Sequence, residues 1–441
     1  MIGKKTLLCS LVLSVLGAAS ILAEGQGEPK QVELEVWTWQ HEPMINILND
    51  EVIPSFEAKY PNVKVLYEQP GRTNEVHEKF LISSQGDAAP DVVGLQHAYL
   101  ANHVHLGNVD PVDLEVFGVG SMAEFGDLWA GGHGILGLGD TYYGVIINVS
   151  SYTMIINAEH FREAGYDPDT QYPLTWEEGD RSVASIGQKL TRRDGDRITR
   201  EGYGLATHPQ GSILVYYNML GNLGKDLLTA DGKSTNITSP ESQRVLQTFR
   251  DFTFKYQISA PGGLRNAAIK REEFQNGTAS MMNTIWSWYR PVIEQFPDVY
   301  KGGDGIKFIP NPQYSDGVPY STKFGSLWTV SSLSDNKTEA WRFQQEVMAY
   351  ADSFNATGLL VPVQGYETSD AARAVQDFDM FSGILENPGG EQIRTPEATA
   401  IWQKALAKIV FEDADIAATL EVANDEFEEY LAEVPYSFAT Q

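Results

Sequence analysis

Residues 32–39 read VELEVWTW, a segment in which apolar and charged side chains alternate before it ends in tryptophan. This alternation indicates a half-buried β-strand. A helical pattern follows over 45–56, then a strand at 63–67, a helix at 74–84 and a strand at 91–95. Strand, helix, strand, helix and strand at this spacing predict a parallel sheet covered by helices.

The carboxyl ends of such parallel strands are where ligands bind in α/β sheets. Polar and aromatic side chains follow each of the three predicted strands, at Trp39, Gln40 and His41, at Glu68, and at Gln96 and His97. Because these ends meet at one edge of the sheet, we expect these residues to lie near each other.

Local signals predict where helices begin or break. Pro54 should kink or break the first helix, since proline lacks the amide hydrogen that an inner turn needs. Thr175 with Glu178 three positions later has the pattern of a capping box, and Ser239 before Pro240 resembles another helix start. Further helices are expected at 338–351, 396–410 and 413–432.

The N-terminus has the layout of a cleaved secretory signal. Lys4 and Lys5 precede an apolar run over 7–22, which ends in small residues with possible cleavage after Ala19 or Ala23. The run is too short to favour a permanent membrane anchor. We therefore assign residues 1–23 to a signal peptide and expect an exported protein.

Cys9 is the only cysteine of the chain, and it lies inside this apolar run. A cysteine that receives lipid should instead follow the run, at the cleavage site. The mature chain would then contain no thiol, no disulfide and no thiolate metal site. These features predict an unlipidated periplasmic protein.

The net charge of −27 excludes several classes of partner. So negative a surface repels nucleic acid and anionic lipid. The eight histidines show no metal-binding spacing, and neither a nucleophile elbow nor a phosphate-binding glycine loop occurs. We expect no metal and no cofactor, although abundant carboxylates leave a glycosidase acid pair open.

Several segments, in this order, resemble one protein family. They are KFLISSQGDAAPDVV at 79–93, NVDPVD at 108–113, IINAEHFREAGYD at 155–167, LTWEE at 174–178, FQNGTASMMNTIWSW at 274–288 and FGSLWTVSSLSDNKTEAWRFQQEVM at 324–348. Together they resemble the extracellular solute-binding proteins of bacterial ATP-driven importers, specifically the sugar-binding family that includes maltodextrin receptors. The resemblance spans roughly 32–435.

The resemblance implies an α/β, two-lobed periplasmic-binding-protein fold. In it, each lobe is a mainly parallel sheet flanked by helices, and crossing hinge strands join the lobes. The implied boundaries are 32–147 plus 326–358 for lobe one, 150–322 plus 362–435 for lobe two, and hinges near 147–150, 323–327 and 358–362.

The resemblance also implies a monomeric, non-catalytic receptor. It would bind a sugar or short oligosaccharide in the cleft and deliver it to the membrane permease of an ATP-binding-cassette importer. A secreted glycosidase or lyase is the alternative.

A sugar site needs aromatic rings against the apolar faces of the sugar and polar groups around its rim. The candidate ligand-binding residues are Trp39, Gln40, His41, Glu68, Gln96, His97, Trp286, Trp288, Tyr289, Phe324, Gly325 and Trp328. For the tryptophans the alternative is a place in a hydrophobic core, and Trp328 fits either role equally well.

Overall fold

The architecture was obtained from a computed structural model of the 441-residue chain. It describes residues 31–86, 88–130, 137–177, 179–206, 209–229, 231–260, 267–285, 297–301, 304–375, 377–387, 389 and 395–433. Within these ranges no helix is both long and apolar enough to span a bilayer.

Eleven strands are described. They are β1 (Val32–Trp39), β2 (Val63–Gly71), β3 (Val92–Gln96), β4 (Gly137–Leu138), β5 (Thr141–Tyr142), β6 (Val145–Asn157), β7 (Arg192–Asp194), β8 (Arg197–Arg200), β9 (Met281–Ile285), β10 (Ile306–Ile309) and β11 (Lys323–Val330). Seven of them form one sheet in the order β10-β6-β11-β3-β1-β2, and β9 also pairs with β6. β4–β5 and β7–β8 are separate two-stranded hairpins.

Strand direction divides the large sheet. β1 pairs in parallel with β2 and with β3, as the sequence pattern predicts. β11 is antiparallel to β3 and β6, and β9 and β10 are antiparallel to β6. The sheet is therefore more mixed than predicted, because β6 and β11 cross between the lobes in opposite directions.

Helices cover this sheet. Their bounds are Glu42–Ile47, Ile53–Lys59, Thr73–Ser84, His97–His105, Leu114–Phe117, Met122–Gly126, Ala158–Glu163, Val183–Leu190, Pro209–Asn222, Pro240–Phe254, Ala267–Gln275, Pro297–Tyr300, Lys337–Ala349, Ala351–Asn355, Asp370–Arg373, Phe378–Glu386, Pro396–Phe411 and Ile416–Glu433. Leu48–Val52 is a π-helical turn and Tyr366–Thr368 a 3₁₀ turn. The π-helical turn ends two residues before Pro54 and leads directly into Ile53–Lys59, so the helix is locally distorted near the proline but not broken.

Side-chain caps account for two helix starts. Ser239 accepts a hydrogen bond from the Ser242 amide at 3.2 Å, as predicted. The Asn157 side chain at the end of β6 caps the next helix, accepting from the amides of Glu159 and His160 at 3.1 Å each.

The helix start predicted at Thr175 is wrong. Thr175 lies in single β-bridges to Ser182 and Gln313, so its backbone is extended. The helix begins later, at Val183, where the Ser182 side chain accepts from the Ser185 amide at 3.0 Å. A capping-box pattern specifies side chains only, and here the bridges hold the backbone in another conformation.

Two hydrophobic clusters form the cores. The first gathers the apolar side chains of β1, β2, β3 and the start of β6, and the second those of Pro209–Asn222, Pro240–Phe254 and Pro396–Phe411. Apolar residues from Leu359 to Leu385 also belong to the first cluster. The first cluster also contains Phe274 and Phe308 from the implied lobe two, so cluster membership does not locate the third crossing, and the lobe boundaries stay predictions.

Asp91, from the Pro-Asp-Val-Val segment, ties three pieces of lobe one together. Its carboxylate accepts hydrogen bonds from the Glu35 amide at 2.8 Å, the Ser334 hydroxyl at 2.5 Å and the Asn336 side chain at 3.3 Å. Bonds to a charged acceptor are stronger than neutral ones. Asp91 thus fixes β1 and the segment after β11 at the start of β3.

A buried histidine pair joins helices Thr73–Ser84 and His97–His105. His77 Nδ1 lies 2.9 Å from His103 Nε2, and His103 Nδ1 lies 3.2 Å from Asn108 Nδ2. Since an amide nitrogen only donates, His103 accepts from Asn108 and donates to His77. Burial lowers the pKa of His77 to about 4, and burial with the adjacent His77 ring lowers the pKa of His103 to about 3. Both rings are therefore neutral at pH 7.

We predict that Asp91→Asn lowers the unfolding free energy by about 1–3 kcal/mol, because three donors, one of them fully buried, lose a charged acceptor. Urea unfolding at pH 7 measures this loss. Asp50→Asn, at an exposed position on the π-helical turn, is the matched control and should change stability by less than about 0.5 kcal/mol. Equal effects of the two substitutions would contradict the role of Asp91.

We predict that His103→Gln flattens the dependence of stability on acid pH. The unfolded chain protonates its histidines near pH 6.5, whereas the folded pair stays neutral down to about pH 4. The contribution of these neutral rings to the free energy of unfolding is therefore fully present above about pH 6.5, and it declines as the pH falls toward 4. Removing one ring should reduce this slope by about 1.4 kcal/mol per pH unit.

Urea unfolding between pH 4 and pH 7 gives the slope. His105→Gln, at an exposed position on the same helix, should retain the wild-type slope. A His103→Gln variant that also retains it would show that the buried pair does not titrate as described.

Candidate functional site

The three parallel strands end at one edge of the sheet, as predicted. β1 ends at Trp39, β2 at Gly71 and β3 at Gln96. The Gln40 side chain is exposed. The backbone amide of Gln40 donates to the Gly71 carbonyl at 2.8 Å, so β1 and β2 stay paired to their ends. Gln96 is half-buried. This edge therefore presents amide side chains to the space beyond the strands.

The two histidines at this edge are held by local structure. His41 caps helix Glu42–Ile47, its Nδ1 accepting from the Met44 amide at 3.4 Å, and burial lowers its pKa. His97 is buried, and burial lowers its pKa to about 4, while a hydrogen bond with the Gly137 backbone acts in the opposite direction. Both imidazoles are neutral at pH 7, so this edge carries no histidine cation.

Two of the predicted aromatic platforms are core residues. Trp328 is 0 % exposed and lies parallel to Phe343, with ring centroids 6.0 Å apart. Trp39 belongs to the same first cluster and packs against Gly94, which lacks a side chain that would collide with both rings. A ring whose faces are packed against apolar neighbours has no free face for a sugar to stack on, so we place Trp39 and Trp328 in the core and remove both from the predicted site.

The placement predicted for Glu68 is also wrong. β2 continues past it to Gly71, so Glu68 lies within the strand rather than at its end. Its exposed carboxylate is 3.4 Å from the Lys79 ammonium, which lies 3.7 Å from the centroid of the Trp37 ring. Glu68 therefore belongs to a surface cluster on the helix-covered face of β1 and β2.

Three further candidates lie outside the described residues, namely Trp286, Trp288 and Tyr289. They directly follow β9, which pairs with β6. Their roles stay predictions.

The crossing strands supply the remaining candidates. Phe324 is buried in the second cluster, opposite Ser150 of β6, and Gly325 lies opposite Val149. One position along, Ser326 lies opposite both Asn148 of β6 and Gln96 of β3.

Residues directly opposite each other project from the same face of a sheet. Gln96, Ser326 and Asn148 thus form one polar row, and Ser150 shares this face two residues along β6.

Sequence reasoning missed Asn148, Ser150 and Ser326. A usable signal was present, because the strand VIINVSSYTMIIN is apolar except for a few polar residues. Buried polar side chains are costly unless they are hydrogen-bonded. Polar residues inside a fully buried strand therefore indicate either a structural network or a ligand.

On the lobe-two side, a hydrogen-bond network holds the crossing strand. Tyr203 donates to Asn283 at 2.6 Å, Asn283 donates to Asn311 at 2.6 Å, and Asn311 donates to the Tyr152 carbonyl at 2.5 Å. Because buried networks with satisfied partners are rigid, this hydrogen-bond network fixes the second half of β6 to β9 and to the segment after β10.

Two lobes that share crossing strands, with polar side chains where those strands meet the ends of a parallel sheet, define a hinged ligand-binding protein. The model of the family described as bacterial extracellular solute-binding protein matches residues 51–377. The chain belongs to this family.

Solved structures share the fold. One is a solute-binding protein of an ABC transporter from Thermotoga lettingae bound to α-D-tagatose, with TM-score 0.74, 18 % identity, and coverage of 91 % of this chain and 100 % of that one. Another is the GacH receptor of Streptomyces glaucescens, solved without ligand and with acarbose, with TM-score 0.74, 16 % identity, and coverage of 92 % and 100 %.

UgpB of Mycobacterium tuberculosis in complex with glycerophosphocholine matches with TM-score 0.73, 18 % identity, and coverage of 93 % and 99 %. These likenesses confirm the predicted two-lobed fold.

A sequence relative is known by the name "uncharacterized lipoprotein in oleD 5' region" of Streptomyces antibioticus. It is 24 % identical over 343 residues, which cover 77 % of this chain and 71 % of that protein. That protein's name describes a lipoprotein, whereas the absence of lipid on this chain stays a prediction.

We predict that Trp328→Phe lowers the unfolding free energy by about 2 kcal/mol, because a smaller ring leaves a cavity beside Phe343 and Gly94. The exported form should bind its ligand as tightly as before. Urea unfolding and calorimetric titration measure the two quantities. Unchanged stability with weakened binding would return Trp328 to the site.

Proposed function

We propose that this protein is the substrate-binding component of an ATP-binding-cassette importer and that it captures a sugar or short oligosaccharide between its lobes. Closure about the crossing strands would bury the ligand, and the membrane permease would recognise the closed form. The observation that carries this proposal is the polar row of Gln96, Ser326 and Asn148, which joins the ends of the parallel strands to the crossing strands.

Three features support a neutral, hydroxyl-rich ligand. The polar row of Gln96, Ser326 and Asn148 consists of amides and a hydroxyl, and the nearby histidines are held neutral by burial. Of the three solved structures described above, two are named with sugar-like ligands, tagatose and acarbose. Family membership supports export and a binding role.

The finer parts of the proposal are the compartment, the partner and the absence of catalysis. We infer a soluble, monomeric, periplasmic protein that is released from its signal peptide and carries no lipid on Cys9. It would return its ligand chemically unchanged. In the described part of the chain, no three His, Asp or Glu side chains are grouped so as to hold a metal ion.

We predict that at least one sugar raises the melting temperature of the exported form. The panel comprises D-glucose, D-tagatose, maltose, maltotriose and mannotriose, with D-glucuronate and glycerophosphocholine as anionic and phosphodiester probes. A ligand at one hundred times its Kd adds about 2.7 kcal/mol, which corresponds to about 3 °C or more in a chain of this size. The protein should be purified unfolded and refolded, so that no ligand is carried over.

Mass spectrometry of the recovered sugar decides between a receptor and an enzyme. An intact sugar supports the receptor, and a hydrolysed one would support the glycosidase alternative. A shift only with glycerophosphocholine or glucuronate, and with no neutral sugar, would contradict the proposed substrate class.

A further inference from the structure

Two buried polar side chains on β6 have no hydrogen-bond partner within the described ranges. Asn148 Oδ1 and Ser150 Oγ are both unpartnered. Asn148 is 9 % exposed and Ser150 is 0 % exposed. Because a buried polar atom loses its bonds to water, leaving it unpaired costs free energy. Such atoms in a native fold require an explanation.

The two side chains share one face of the strand, since residues two apart on a strand project to the same side. Asn148 belongs to the polar row that reaches Gln96, and Gln96 is half-buried at the end of β3. The face that carries both unpartnered atoms therefore continues to the edge where the parallel strands end.

This face lies where the two cores meet. Val149 belongs to the first cluster, whereas Tyr152 and Phe324 belong to the second. Phe324 is the register partner of Ser150. Asn148 and Ser150 are thus at the boundary between the lobes, where a closing cleft would enclose a ligand.

Other unpartnered amides differ in their setting. Asn218 and Asn355 each have an unpartnered nitrogen, but each is anchored through its oxygen, to the amides of Thr322 and Val361. Gln344 is not on a crossing strand but on helix Lys337–Ala349.

Ser151 provides an internal comparison. It is the next residue, it is also fully buried, and its hydroxyl donates to the Thr322 carbonyl at 3.3 Å on the opposite face of the strand. The two adjacent serines are therefore equally buried, but Ser151 has a hydrogen-bond partner, whereas Ser150, on the face of the polar row, has none within the described ranges.

We propose that Asn148 and Ser150 form the floor of the ligand site and that hydroxyl groups of the ligand donate hydrogen bonds to Asn148 Oδ1 and Ser150 Oγ. This inference rests on the proposed function and names the chemistry of its site. Closure without ligand leaves both atoms unpaired and is disfavoured, whereas a polyhydroxylated ligand satisfies them. The two side chains thereby make closure depend on hydroxyl donors.

The test replaces each side chain by an apolar one of similar shape, Ser150→Ala and Asn148→Leu. Removing an unpaired polar group should leave the melting temperature of the ligand-free protein unchanged or raise it. The same substitutions should weaken binding at least tenfold for the panel sugar that wild type binds most tightly, measured by calorimetric titration. A gain or no change in stability combined with a loss of affinity is the expected signature.

Ser151→Ala is the matched control. Because it breaks a satisfied buried hydrogen bond, it should lower the melting temperature while affinity stays within twofold of wild type. A structural role for Ser150 and Asn148, such as holding an internal water, predicts that their variants behave like Ser151→Ala.

Two failures are distinguishable. If wild type binds no panel sugar, the proposed function is overturned, and this inference with it. If wild type binds a sugar that Ser150→Ala and Asn148→Leu bind equally well, or if both variants melt lower with unchanged affinity, the inference alone is overturned.

Discussion

The structure depends on β6, a fully buried strand that requires hydrogen-bond partners along its whole length. β6 has thirteen residues, all buried, and buried backbone amides and carbonyls must be hydrogen-bonded. Residues 145–151 find their partner in β11, and residues 152–157 find theirs in β9 and β10. Neither lobe alone can satisfy the strand, so each lobe is built onto a different half of it.

The sequence was sufficient for the features that depend on local chemistry. Alternating residues such as those of VELEVWTW locate the parallel strands, since the side-chain period of a strand is two. Ser239 is a cap because its hydroxyl can reach an amide three residues away without any tertiary contact. Family motifs added the two-lobed arrangement, which periodicity alone does not contain.

The site was harder to predict because it depends on which neighbours tertiary packing supplies. Trp39 and Trp328 are core residues because Gly94 leaves room for both rings, a relation between three distant positions. β2 continues past its predicted end at residue 67 because it is at the edge of the sheet, where Pro70 is tolerated. Asn148 and Ser150 can be recognised as candidate site residues only once the structure shows that Asn148 Oδ1 and Ser150 Oγ have no hydrogen-bond partner in the described part of the chain.

The shared strand also has a consequence for how the molecule comes apart. If β9 and β10 unfolded, residues 152–157 of β6 would lose their hydrogen-bond partners. If β11 unfolded, residues 145–151 would lose theirs. Neither half of the sheet is complete without β6. The protein has the outline of two domains, but because both are built on β6, the unfolding of one core removes hydrogen-bond partners from the strand that the other core needs.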